Sequence, residues 1–162
     1  MKDIMDQYYR EHNELVFHYL CQLTGHRDLA EELTQETFYQ AMRTYSKYRG
    51  DCKPSVWLCQ IAKHVWYQYL EKKKKKSEIS FERVEDFIAE NDSTSEFWDR
   101  QDKIELYKKI QTLSKEMRDV IYLRLSGDLS FAEIGEIMKK TENWARVTYY
   151  RAKQQLMKGG SL

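Results

Sequence analysis

The sequence predicts an all-α protein of two small helical domains joined by an acidic flexible linker. Three observations lead there. Apolar residues recur at three- and four-residue spacing, and no stretch alternates as a strand would. The 162 residues include only 6 glycines and 1 proline, too few for the tight turns of a sandwich or barrel. Between two periodic segments lies a stretch, 77–96, that loses periodicity and gains acid, serine and asparagine. The domains are accordingly expected at 1–76 and 97–162, with 77–96 as the linker.

The first helix is expected over 4–23. Ile4, Tyr8, Leu15, Tyr19, Leu20 and Leu23 fall on one side of it, and Gly25 ends it. Asp28 is the expected N-cap of a second helix, with Glu31 three residues on in the manner of a capping box. Ala30, Leu33, Thr37, Phe38 and Ala41 form its inner face; Glu32, Gln35, Glu36 and Tyr39 form its outer one. The pattern breaks over 44–53, where Gly50-Asp51 signals a turn. Pro54 suits the first turn of a third helix, because its missing N–H is not needed there. Val56, Trp57, Leu58, Ile61, Ala62, Val65, Tyr69 and Leu70 supply that helix's apolar stripe, and it runs into five lysines, Lys72 to Lys76.

Past the linker, Phe97, Ile104, Tyr107 and Ile110 mark a further helix. Ser114 caps the next, with Met117, Val120, Ile121 and Leu125 inward and Gly127 at its end. Ser130 and Glu133 make a capping box for a short helix with Ile134, Ile137 and Met138 inward. Thr141 caps a last helix that reaches about Met157.

Composition narrows the function. Hydrophobic residues at 41% can build a core, and no apolar run is long enough to span a bilayer. The acidic N-terminus leads into no apolar stretch, so no secretory leader is expected; the protein is expected in the cytoplasm, without direct membrane insertion. Residues 1–76 hold 13 basic and 10 acidic side chains, 77–102 hold 2 and 9, and 103–162 hold 12 and 7. Two mildly basic segments thus flank an acidic one, and a polyanion responds to that local pattern, not to the overall +1. Cys21, Cys52 and Cys59 form no CxxC, so they are expected to be reduced and to serve as small apolar residues. No nucleophile–base pair, phosphate loop or metal cluster is evident. The expectation is a non-enzyme with no metal and no cofactor.

Two short helices, 131–138 and 142–157, separated by a few residues form a helix-turn-helix pattern. On the second, Ala145, Tyr149, Ala152 and Leu156 stack on one side. Asn143, Arg146, Val147, Tyr150, Arg151 and Gln154 then point outward, with no carboxylate among them. Arginines read guanine edges or phosphates, amides read adenine, and small apolar groups meet thymine methyls, so this face suits a DNA major groove. The turn is Lys139-Lys140-Thr141, with no glycine at the position where such turns become left-handed. A second basic region interleaves aromatic residues: Tyr45, Lys47, Tyr48, Arg49 and Lys53 in the loop, then Trp57, Trp66, Tyr67 and Tyr69 ahead of the lysine run. Such a surface tracks phosphates while bases stack on its rings. Trp57 and Tyr69 are read as core, the loop and the lysines as nucleic-acid contacts.

Taken together, the two halves resemble a family. DLAEELTQETFYQAM (28–42) and KPSVWLCQIAKHVWYQYLEKKKK (53–75) look like region 2 of the extracytoplasmic-function sigma factors of bacterial RNA polymerase. The stretch 112–156, beginning TLSKEMRDVIYLRLSGDLSFAEIGEIM, looks like their region 4. The resemblance covers nearly the whole chain. It implies that Glu32, Gln35, Glu36 and Tyr39 face the β′ clamp coiled coil of core RNA polymerase. It implies that Tyr45, Lys47, Tyr48, Arg49, Lys53, Lys63, His64, Lys72 and Lys73 meet the −10 element of promoter DNA. Asn143, Arg146, Val147, Tyr150, Arg151 and Lys153 would then read the −35 element, with region 4 also touching the β flap. A further implied partner is an anti-sigma factor, often membrane-anchored in this family. Where the family pattern has Arg-Asn, this chain has Lys63-His64; where it has Gly-Thr-Val-Lys, this chain has Asn143-Trp144-Ala145-Arg146.

Two other readings use the same residues. A free-standing helix-turn-helix regulator would bind operators without polymerase, and usually as a dimer; it leaves 28–76 without a role. A helical protein–protein adaptor would bind no DNA and would depend on Glu32 and Gln35 but not on Arg146 and Arg151.

Overall fold

The first three helices form one bundle. In the computed structural model, which describes residues 2–75, 100–127 and 129–158, α1 runs Lys2–Thr24, α2 Arg27–Thr44 and α3 Pro54–Lys75. The expected linker and Phe97 lie outside the described residues. α1 ends where Gly25 takes φ +66°, a left-handed conformation that suits glycine. Glycine is needed there for a second reason: a Cβ would sit 2.7 Å from the Tyr107 hydroxyl oxygen.

The start of α2 differs from the sequence reading. Its N-cap is His26, whose Nδ1 accepts from the Leu29 N–H at 3.1 Å, and Asp28 lies inside the first turn. There the carboxylate faces the positive end of the helix dipole instead of capping it. Glu31 pairs with Arg27 at 3.5 Å and takes no part in a capping box. A single 3-10 turn, Tyr45–Lys47, leads from α2 into the loop before α3.

Leu20, Tyr19 and Val16 of α1 meet Ala30, Leu33, Thr37 and Ala41 of α2 and Val56, Leu58, Cys59 and Ala62 of α3 in the core. The two threonines of α2 that are buried, Thr34 and Thr37, return their hydroxyls to the carbonyls four residues back, at 2.7 Å each, so neither leaves a polar atom unpaired. Trp66 is 5% exposed and belongs to the core, whereas Trp57 and Tyr69 are half-buried against it.

The remaining helices are α4 Arg100–Gln111, α5 Lys115–Ser126, α6 Phe131–Met138 and α7 Glu142–Lys158. No strand occurs among the described residues. Ser114 caps α5 through the Met117 N–H, and Ser130 with Glu133 makes the reciprocal capping box of α6. α5 is buried on every side along Asp119 to Leu123, because α1 packs on it as well as α7. Leu125, expected to point inward, lies in the last turn beyond that run and is 57% exposed. α1 packs on α5 and α3 on α6, so the buried residues of both halves form one continuous cluster.

Candidate nucleic-acid interface

The geometry of the α6–α7 pair starts from its turn. Lys139 has φ +58° and ψ +43°, the left-handed conformation that closes the helix through its N–H and the carbonyls of Glu136 and Gly135. A residue with a Cβ pays roughly 1 kcal/mol for it. Gly135, in the middle of α6, allows the chain to fold back: a Cβ there would lie 2.7 Å from the Thr141 carbonyl oxygen and 2.9 Å from that of Lys140. Thr141 then caps α7, its hydroxyl accepting from the Trp144 N–H at 3.0 Å.

α7 turns Ala145, Ala152 and Leu156 inward, with Tyr149 half-buried beside them. Asn143, Arg146, Val147, Tyr150, Arg151, Lys153 and Gln154 are all exposed. The structure therefore presents the outward set as one face. It also adds what the spacing did not show. Arg146 pairs with Glu142 one turn earlier at 3.6 Å, and its guanidinium lies 5.5 Å from the Phe131 ring centroid. Phe131 is flanked by Tyr149 and Tyr150 and lies 4.3 Å from the Arg124 guanidinium. Cation–π contacts of this kind hold both guanidiniums at the ring cluster.

Residues assigned to the −10 element are placed unevenly. Lys47, Arg49, Lys53, His64 and Lys72 are exposed, while Tyr45, Tyr48, Lys63 and Lys73 are half-buried. Tyr48 stacks on Trp57 with centroids 4.4 Å apart and planes 14° apart, and its hydroxyl donates to the Cys52 carbonyl. That stack gives Trp57 a role at the base of the loop in place of the pure core position expected. Lys73 lies 5.6 Å over the Tyr69 ring. On α2, Glu32, Gln35, Glu36 and Tyr39 share one exposed face, where Gln40 donates to Glu36 and Arg43 lies over Tyr39.

Comparison with known proteins gives the arrangement its family. The sigma-70 region 2 model matches residues 8–76, and the sigma-70 region 4 model matches residues 103–156. The chain belongs to the sigma-70 family. It is similar to the RNA polymerase sigma factor YlaC of Bacillus subtilis, 26% identical over 159 residues that make up 97% of this chain and 92% of that protein. It is also similar to the ECF RNA polymerase sigma factor SigM of the same organism, at 28% over 153 residues, 94% of this chain and 92% of that one. Its fold matches that of the sigma factor RpoE from Bartonella quintana, solved in complex with the anti-sigma factor NepR. The TM-score is 0.73 at 17% identity, over 98% of this chain and 96% of that one. This is an extracytoplasmic-function sigma factor, a protein that directs RNA polymerase to promoters.

Sequence reasoning missed the residues that join the two halves of this sigma factor. The Tyr67 hydroxyl donates to Asp119 Oδ2 at 2.5 Å, from α3 to α5. Asp119 is 2% exposed, and burial pushes its carboxyl up to about 6 even though Tyr67, Lys63, Arg118 and Lys115 all favour the charged form. Burial also pulls the Lys63 ammonium below its ordinary value, with Asp119 opposing that shift. Lys53 meets Glu133 at 3.5 Å, and Gln60 donates to the Glu136 carbonyl at 2.8 Å. Burial acts to raise the Glu133 carboxyl, but hydrogen bonds from Ser130 and the charge of Lys53 outweigh it and hold the group low. At the other end Tyr107 donates to the Gln22 carbonyl at 3.0 Å and Ser126 to the Gln22 amide oxygen at 3.2 Å. Lys53, Lys63, Tyr67 and Glu133 stood out in the sequence as basic, aromatic or capping residues, but nothing there showed which surface they meet.

The cysteines are all free. Burial pushes the Cys21 and Cys59 thiols up to about 12. No helix of the described residues is long and apolar enough to cross a membrane.

Proposed function

We propose that this sigma factor binds core RNA polymerase through the exposed α2 face of Glu32, Gln35, Glu36 and Tyr39, which meets the β′ clamp coiled coil, while region 4 touches the β flap. Promoter DNA is then held at two places. The loop Tyr45–Lys53 with Lys63, His64, Lys72 and Lys73 takes the −10 element, and Asn143, Arg146, Val147, Tyr150, Arg151 and Lys153 take the −35 element. The observation that carries this reading is the α7 face: Arg146, Val147, Tyr150 and Arg151 exposed together on a helix held by a capped turn. A guanidinium that meets a guanine edge with two hydrogen bonds contributes about 1–3 kcal/mol of discrimination. The chain carries no catalytic role; it acts in the cytoplasm, and an anti-sigma factor holds it inactive until a signal arrives.

The test is run-off transcription with purified chain, bacterial core polymerase and a library of genomic fragments. Discrete starts that require this chain are expected, and Arg146→Ala with Arg151→Ala is expected to weaken them by at least about tenfold. Starts that persist unchanged in that double variant would remove α7 from promoter reading.

A further inference from the structure

A cavity of about 300 Å³ lies where α3 and α5 face each other, at the lower end of the size range of small-molecule sites. Each helix turns one face to it. On α3, Tyr67, Leu70, Glu71 and Lys74 are spaced i, i+3, i+4 and i+7; on α5, Lys115, Arg118 and Tyr122 are spaced i, i+3 and i+7. The lining changes with depth. Leu23, Trp66, Asp119 and Tyr122 are buried and make the floor, whereas Glu71, Lys74 and Lys115 are exposed at the mouth. Apart from Asp119 the floor is apolar or aromatic, and the mouth is charged.

The polar groups are held in place by neighbours that leave them capacity. Arg118 Nη1 donates to Gln111 Oε1 at 3.2 Å, and Gln111 Nε2 donates to the Tyr122 hydroxyl at 2.6 Å. A guanidinium carries five donors, and this bond uses one. The Lys115 ammonium lies 3.8 Å from the Tyr67 ring centroid. Neither cation makes an ion pair among the described residues. Three cations, Lys74, Lys115 and Arg118, and two carboxylates, Glu71 and Asp119, line the cavity, which leaves one positive charge in excess.

We propose that this cavity is a binding site for a small aromatic carboxylate. Its ring system lies against Trp66, Leu70 and Tyr122, where offset stacking and apolar contact favour a flat body. Its carboxylate meets Arg118, whose planar fork matches two carboxylate oxygens, with the lysines of the mouth beside it. The single surplus charge suits a monoanion; a phosphate dianion would bring a charge that nothing there balances. Leu23 comes from α1 and Gln111 from α4, so four helices build the site and a bound ligand stabilises their packing by mass action. Trp66, Leu70, Gln111, Arg118 and Tyr122 belong to neither the polymerase nor the promoter surfaces, so the inference does not rest on those assignments.

The test is a titration of the full chain followed by proton–nitrogen correlation spectra at pH 7.5, where Asp119 is ionised. Naphthoate is the probe and naphthamide its neutral counterpart. Naphthoate is expected to bind with a dissociation constant of about 1 mM or tighter, shifting the Trp66 indole and the Gln111 side-chain amide while the Trp57 and Trp144 indoles stay in place. Naphthamide is expected to bind at least about tenfold more weakly, the fold-change that corresponds to losing a hydrogen bond to a charged group. That comparison needs no variant. Arg118→Gln is expected to weaken naphthoate binding about tenfold relative to a charge-matched control at the exposed start of α1, Lys2→Gln. Leu70→Trp, which fills the cavity, is expected to abolish binding. Naphthamide binding as tightly as naphthoate, or shifts confined to Trp57 and Trp144, overturns the proposal. Naphthyl phosphate binding tighter than naphthoate overturns the choice of a carboxylate.

Discussion

Acid should stabilise the fold through Asp119, where α3 meets α5, and the effect is large enough to measure. The carboxyl is raised to about 6 by burial, against an ordinary value of 3.8. A carboxyl raised in the native state binds its proton more readily there than in the unfolded chain. The stability that protonation contributes is fully present below 3.8 and is lost as pH rises through about 6. At about 1.4 kcal/mol per pH unit across that interval, the loss is about 3 kcal/mol. The groups facing Asp119 are Tyr67 and Lys63 of α3 and Lys115 and Arg118 of α5, with the Tyr19 hydroxyl of α1 and Tyr122 nearby. The variant removes only the Asp119 carboxyl, so the difference between the two chains reports that group. Glu133, held low, contributes stability of the opposite sign that is lost below its own range. The assay is urea unfolding followed by circular dichroism at intervals from pH 4 to 7.5, comparing the native chain with Asp119→Asn. Asparagine still accepts from Tyr67 but cannot ionise. The difference in unfolding free energy between the two should shift by about 2.4 kcal/mol in favour of the variant as pH rises from 4 to 7, the rest of the effect lying below pH 4. Parallel profiles would refute the argument, because they would mean that Asp119 titrates alike in the folded and unfolded chains.

Gly135→Ala should destabilise the C-terminal half by about 1–3 kcal/mol, since the new methyl would press on the Thr141 and Lys140 carbonyls; a thermal melt checks it. Tyr19→Phe should instead stabilise the protein by about 1 kcal/mol or more. The Tyr19 hydroxyl is the one buried side-chain polar atom without a hydrogen-bond partner among the described residues, and removing it relieves that cost in the same melt. Iodoacetamide at neutral pH should modify Cys52 well before Cys21 and Cys59, because Cys52 is only partly buried while the other two are buried with thiols raised to about 12; peptide mass mapping reads the order.

Much of the helical layout was legible because its signals are local. The Ser114 and Ser130 caps, Pro54 at the start of α3 and the inward set Ala145, Ala152 and Leu156 each depend on neighbours within a turn or two. Local signals also misled where two caps competed. Asp28 has good N-cap chemistry, yet the Thr24 hydroxyl engages His26 through both its N–H and its carbonyl and starts the helix two residues earlier. The outward face of α7 was legible as a set of exposed residues, but not the aromatic cluster beneath Arg146. Phe131 reaches that cluster from the other helix of the pair.

The amino-acid sequence by itself determined the all-α class, the family, the capped turn of the C-terminal half and the side of α7 that faces outward. Only the tertiary structure decided what stands opposite α3. Tyr67 and Asp119 are 52 residues apart, and Gln60 and Glu136 are 76 apart. Periodicity states which residues of a helix turn inward but not which surface they meet. A carboxylate on α5 has the same local signature whether it faces water or a buried phenol. Its altered chemistry comes from desolvation and from partners that the folded chain alone brings within reach.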